Sequence, residues 1–119
     1  MRLSFSRPLP VKKLSVVFFA TDVGKEPVRE WLVGLPIDDR KKVGQAILEV
    51  QIGWPLGLPL VRPMGKGLFE VRVNLPTRIA RVLFSLEGAD MVLLHGFIKK
   101  QQATPDADIN IARIRKALI

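Results

Sequence analysis

Arg72, Arg81, His95, Lys99 and Lys100 have the types and the spacing to act on a phosphate. They lie within Gly67 to Pro105, which reads GLFEVRVNLPTRIARVLFSLEGADMVLLHGFIKKQQATP. A guanidinium offers a planar fork that matches phosphate oxygens and never loses its charge. Arg72 and Arg81 are therefore the first candidates for a phosphate clamp. Arg78 is a further cation for the same groove, and Lys66 sits in the segment that enters it. Lys99 and Lys100 end the stretch and can bind a backbone or donate a proton. His95 is the only histidine. It titrates near neutrality, which suits proton transfer. By default it reads as a packed residue, because simple alternation puts it with Met91, Leu93 and Phe97. Phe97 is a candidate surface for stacking a base.

RNA cleaves when its own 2′-hydroxyl attacks the adjacent phosphate. A protein catalyst must align that attack, accept one proton, donate another and stabilise the added charge. Arginines and lysines can do the last without a metal. A lysine serves as base only where burial or neighbouring cations lower its pKa. With one histidine and no cysteine, neither a transition-metal site nor a thiolate nucleophile is expected, and no cofactor is implied.

The residues must be positioned by strands. In 68–75, Phe69, Val71 and Val73 alternate with Glu70, Arg72 and Asn74. In 78–87, Ala80, Val82, Phe84 and Leu86 alternate with Ile79, Arg81 and Leu83. A third strand is expected over 91–98. The links at Pro76-Thr77 and Gly88-Ala89-Asp90 are short enough for antiparallel hairpins. Upstream, Leu14 to Ala20 reads as a first strand. Val28, Trp31, Leu32 and Leu35 give one amphipathic helix behind Pro27. Val43, Ala46, Ile47 and Val50 give a second behind Pro36. Trp54 to Gly67 is rich in proline and glycine and reads as a loop. Thr104 is the expected N-cap of a last helix, with Pro105 its first residue. Ala107, Ile111, Ile114 and Leu118 are its apolar stripe. The expected fold is α+β in the order β-α-α-β-β-β-α, a small, mostly antiparallel sheet with helices packed on one face.

At 119 residues the chain has room for one domain with a core. Residues 1–13 read as a poorly ordered basic arm and 14–119 as the single domain. No apolar run approaches the roughly 18 residues of a spanning helix, and no cleavage site follows the first apolar stretch. No membrane role is expected, and cytoplasmic residence fits. The net charge of +8 is spread over both halves and favours polyanionic partners.

The Gly-Leu-Phe-Glu-Val-Arg-Val entry, the Arg-Ile-Ala-Arg-Val-Leu-Phe strand and the Leu-Leu-His-Gly-Phe-Ile-Lys-Lys run before Thr-Pro resemble the RelE superfamily of toxins. The nearest likeness is to its phage-derived, HigB-like branch, over about residues 14–118. That resemblance implies the RelE-like fold and a ribosome-dependent mRNA endoribonuclease, the toxin of a type II toxin–antitoxin pair. The implied partners are mRNA on the ribosome and a HigA-like helix-turn-helix antitoxin encoded by a neighbouring gene. Arg72, Arg81, Lys99, Lys100 and His95 become the catalytic set, with Lys66, Arg78 and Phe97 binding RNA. One departure stands out. Several relatives use a tyrosine in the site, and this chain has none. The proton shuttle is then unassigned, and the alternative is a degenerate relative that binds RNA or protein without cutting. A DNA-binding regulator ranks behind both, because the cations lie on strands and no helix-turn-helix is evident.

Overall fold

The computed structural model describes residues 11–99 and 104–119. The first ten residues of the expected arm, and Lys100, lie outside the described residues. Eight elements follow one another: β1 (Ser15–Phe18), α1 (Pro27–Val33), α2 (Ile37–Gly53), β2 (Val61–Gly65), β3 (Leu68–Asn74), β4 (Ile79–Glu87), β5 (Asp90–Lys99) and α3 (Asp106–Ala117). The strands form one sheet in the order β1-β5-β4-β3-β2. Strands β2 to β5 are an antiparallel meander, and β1 joins β5 in parallel. The fold is α+β with a mostly antiparallel sheet, as the residue pattern implies.

The segment expected to be a loop contains β2. Proline and glycine masked it. Pro63 is tolerated because β2 is an edge strand, where a missing N–H costs no ladder bond to a second neighbour. The register shifts between Pro63 and Gly65, and Gly65, Lys66 and Gly67 all have positive φ, which closes the tight turn into β3.

One face of the sheet carries Val71, Val73, Ala80, Val82, Phe84, Met91 and Leu93. It is covered by Val28 of α1 and by Val43, Ala46, Ile47 and Val50 of α2. Trp54 closes this layer edge-on against Phe69 and Phe84, at 5.1 and 5.8 Å between ring centroids. Helix α1 lies close on β5 because Gly96 has no side chain. A Cβ there would stand 2.4 Å from Cε3 of Trp31. Gly96→Ala should therefore destabilise the protein by about 1–3 kcal/mol, the usual cost of overpacking. Urea titration followed by Trp fluorescence checks this.

The helices do not all pack on one face. Helix α3 crosses the opposite side, over a smaller cluster of Phe19, Leu68, Leu83, Val92, Leu94 and its own Ala112. Its expected stripe faces outward instead: Ile114 is 64% and Leu118 71% exposed. Polar ties fix α3. Arg113 donates to the Met64 carbonyl at 3.1 Å, and Arg115 to the Leu94 carbonyl at 2.7 Å. Pro105, not Thr104, is the N-cap, and it makes no side-chain cap bond. The Thr104 hydroxyl is used elsewhere.

Candidate functional site

The face of the sheet beyond α3 is a lattice of charges, and strand register fixes it. One row across the strands reads Arg62, Glu70, Leu83 and His95. The next reads Arg72, Arg81 and Phe97, and the last Asn74, Ile79 and Lys99. Directly opposed Cβ atoms lie about 5 Å apart and diagonal neighbours about 7–8 Å, so long side chains reach across rows. Arg62, Arg72, Arg81 and Lys99 thus surround one carboxylate, Glu70. Four cations against one acid leave a strongly positive face.

Three of these groups are buried, Glu70 and Arg81 most deeply. Arg81 is 1% exposed and Glu70 is fully buried. Nη1 of Arg81 donates to Oε1 of Glu70, and the Thr104 hydroxyl donates to Oε2 of the same carboxylate. Arg81 is therefore not the solvated clamp that strand alternation suggests. Burial works against its charge and Glu70 works for it. A guanidinium with such a partner stays protonated. Among the described residues, Nε of Arg81 is buried without a hydrogen-bond partner. The glutamate joins the sheet to the start of α3, so the pair organises the site around it. Arg72, half-buried, and Arg62, exposed, are the cations of this face that solvent reaches.

Lys99 is 4% exposed at the end of β5. Its pKa is pushed below the ordinary lysine value, first by burial and then by the charge of Arg81, with smaller help from Arg72 and Arg62. Glu70 opposes this. The same effect makes folding pH-dependent. Between the lowered folded-state pKa and the unfolded value of about 10.4, the unfolded chain binds more protons, so stability rises with pH. Lys99→Met should melt higher than the parent at neutral pH. The gap should close as pH approaches that upper value, which calorimetry over a pH series would read.

His95 is on a different face from the one alternation assigns. Strand β5 holds one extra residue against β4: Leu83 pairs with His95 and Phe84 with Leu93, leaving Leu94 as a bulge. The bulge turns His95 away from Met91 and Leu93 and towards α3. Its Nε2 lies 2.7 Å from Oδ1 of Asp108, and its ring stacks on Phe97 with centroids 5.4 Å apart. The bulged residue's carbonyl is the one that Arg115 holds. His95, Phe97, Arg81 and Lys99 thus share one side of β5 and β4.

Arg78 and Lys66 are not brought to this place. Arg78 precedes β4 and pairs with Asp39 in the first turn of α2, on the other side of the sheet. Lys66 is the exposed tip of the β2–β3 turn. It lies beyond the start of β3, four strand positions (roughly 13 Å at strand rise) and a tight turn away from Arg72. Sequence reasoning missed Arg62, because β2 was hidden. It placed Glu70 on the same face as Arg72 without making it a partner. A lone carboxylate alternating with arginines was the available signal.

A basic α+β domain with a cationic sheet face and a buried arginine–glutamate pair is the class this geometry defines. The family model described as Phage derived protein Gp49-like (DUF891) matches residues 30–117, and the chain belongs to that family. The family is associated with the toxins of toxin–antitoxin pairs. No curated protein matches the chain. Among the described residues no helix is long and apolar enough to cross a membrane.

Proposed function

We propose that this protein is the toxin of a type II toxin–antitoxin pair, of the RelE superfamily and its HigB-like branch. In this reading it cleaves mRNA on the ribosome without a metal. The observation that carries it is the cationic face itself: Arg62 and Arg72 at the surface, and a lysine of lowered pKa beside them. Family membership supports the toxin assignment.

Each group has a role. Arg72 and Arg62 hold the phosphate backbone and stabilise the charge that builds on the phosphorus oxygens. Arg81, fixed by Glu70, positions its neighbours and raises the local positive field. Lys99 accepts the proton of the attacking 2′-hydroxyl, because burial and three guanidiniums favour its neutral form. His95 is held by Asp108 and stacked on Phe97, next to this face. It gives the leaving oxygen its proton, in a chain that has no tyrosine to do so. Phe97, stacked on His95, is the aromatic surface offered to a base. Lys100 joins the backbone contacts, and Arg78 and Lys66 are left to structure and solvent.

Induced expression in bacteria with mapping of mRNA 5′ ends tests the reading. New ends within translated codons are the expected result. Growth arrest without any new ends would instead favour a module that binds and does not cut. His95→Gln should lower single-turnover cleavage by about 10²-fold or more. An unchanged rate in a folded variant takes the histidine out of the mechanism.

A further inference from the structure

We propose that Lys99 is a carbamylation site: its ε-amine takes up carbon dioxide, and the carbamate so formed is held by Arg81, with Arg72 and Arg62 as further neighbours. Lys99 closes β5 and is 4% exposed. Phe97 pairs with Arg81 and Lys99 with Ile79, so Lys99 lies one diagonal step from Arg81 on the same side of the sheet. Diagonal neighbours are within reach of long side chains. Arg72 is opposite Arg81 on β3, and Arg62 stands one strand further out, opposite Glu70. The charged groups that bear on the amine are thus Arg62 of β2, Glu70 and Arg72 of β3, and Arg81 of β4.

Two observations favour an anion in this place. Nε of Arg81 is buried and has no acceptor among the described residues, while Nη1 of the same side chain is already given to Glu70. A buried N–H without an acceptor is costly, and a carbamate oxygen supplies a charge-assisted one. The second observation is the charge around the amine. A protonated Lys99 is a buried cation among three guanidiniums with one carboxylate set against them. Burial and like charge both hold the amine towards its neutral, nucleophilic form. Carbamate formation reverses the sign of the misplaced charge, and three cations then face two anionic groups.

The cover over Lys99 also selects the reagent. A small uncharged molecule can reach an amine that is nearly closed off, where a larger or charged electrophile is kept out. The lone pair of Nζ bonds to the carbon of carbon dioxide, one carbon–oxygen π pair moves onto oxygen, and one N–H proton leaves to water. Nothing is oxidised or reduced, and the reverse steps restore the lysine. Lys41, Lys42 and Lys66 are exposed and lack this cover. Carbamate formation needs no RNA and does not rest on the cleavage reading.

Carbon NMR of the full chain, in sealed tubes with isotope-labelled bicarbonate at mildly alkaline pH, reads the adduct. The expected result is a carbamate resonance that grows with bicarbonate, saturates, and is missing from Lys99→Met. Lys99→Arg, checked for fold by circular dichroism, should lack it too. Lys41→Arg, at an exposed position on α2, should keep it. Arg72→Ala should need about tenfold more bicarbonate for half-occupancy, because it removes one of the charges that hold the carbamate. A parent spectrum without a saturating carbamate resonance overturns the proposal. So does a Lys99→Met or Lys99→Arg spectrum that matches the parent's, or a folded Arg72→Ala with an unchanged half-point.

Discussion

Replacing Arg81 by alanine is expected to cost about 3–5 kcal/mol, because it leaves the buried Glu70 carboxylate without its charge partner. That is a large part of the roughly 5–15 kcal/mol that holds a small domain together. The pair is closed off from water, and Glu70 also accepts the Thr104 hydroxyl, so α3 should loosen as well. Removing both charges tells a different story. Arg81→Met with Glu70→Leu takes away both desolvation penalties and should recover most of the loss. Guanidinium denaturation of the parent, the single variant and the double variant measures this. A single variant within 1 kcal/mol of the parent would show that the pair does not hold the sheet. Loss of toxicity in Arg81→Ala alone would therefore say little about RNA. Arg72→Ala and Arg62→Ala are the informative substitutions. In the proposed reading each removes a charge-assisted contact to the RNA backbone, expected to weaken binding by about 1.5–3 kcal/mol without unfolding the chain.

Lys99→Met is expected to have opposite effects on stability and on cleavage. Losing a proton acceptor from a proton-transfer step commonly costs about 10²–10⁴-fold in rate. The same substitution removes a cation that sits buried among Arg81, Arg72 and Arg62, so the variant should be more heat-stable at neutral pH. A functional site that stores such a cost is the usual place for a stabilising substitution to abolish activity. Single-turnover cleavage of ribosome-bound mRNA and a melting curve on the same preparation give both numbers. A variant that cleaves at the parent rate removes Lys99 as the base, whatever its stability.

How much of this was legible beforehand differs element by element. Helix α2 was, because Val43, Ala46, Ile47 and Val50 repeat at helical spacing and all four are buried against the sheet. The β3–β4 hairpin was, because strict alternation on both sides of Pro76-Thr77 leaves one register that buries the apolar set. Alternation also placed Arg72 and Arg81 on one side. It could not say that one of them would be sealed from water, since burial depends on what crosses that side.

Three features were decided only in three dimensions. Strand β2 forms despite Pro63 because the meander offers it an outer edge, and Arg62 joins the site through it. Helix α3 buries Ala112 rather than its most apolar stripe. Its position is set by polar ties from Thr104, Asp108, Arg113 and Arg115 that a hydrophobic period does not register. The third is the bulge at Leu94. One extra residue in β5 reverses the side to which everything after it points, and it moves His95 from an apolar layer to the charged face beside Asp108. A period of two carries no mark of where it will slip. The residue types of the candidate site are written in the chain, but which of them face each other depends on register, and only the folded sheet sets that.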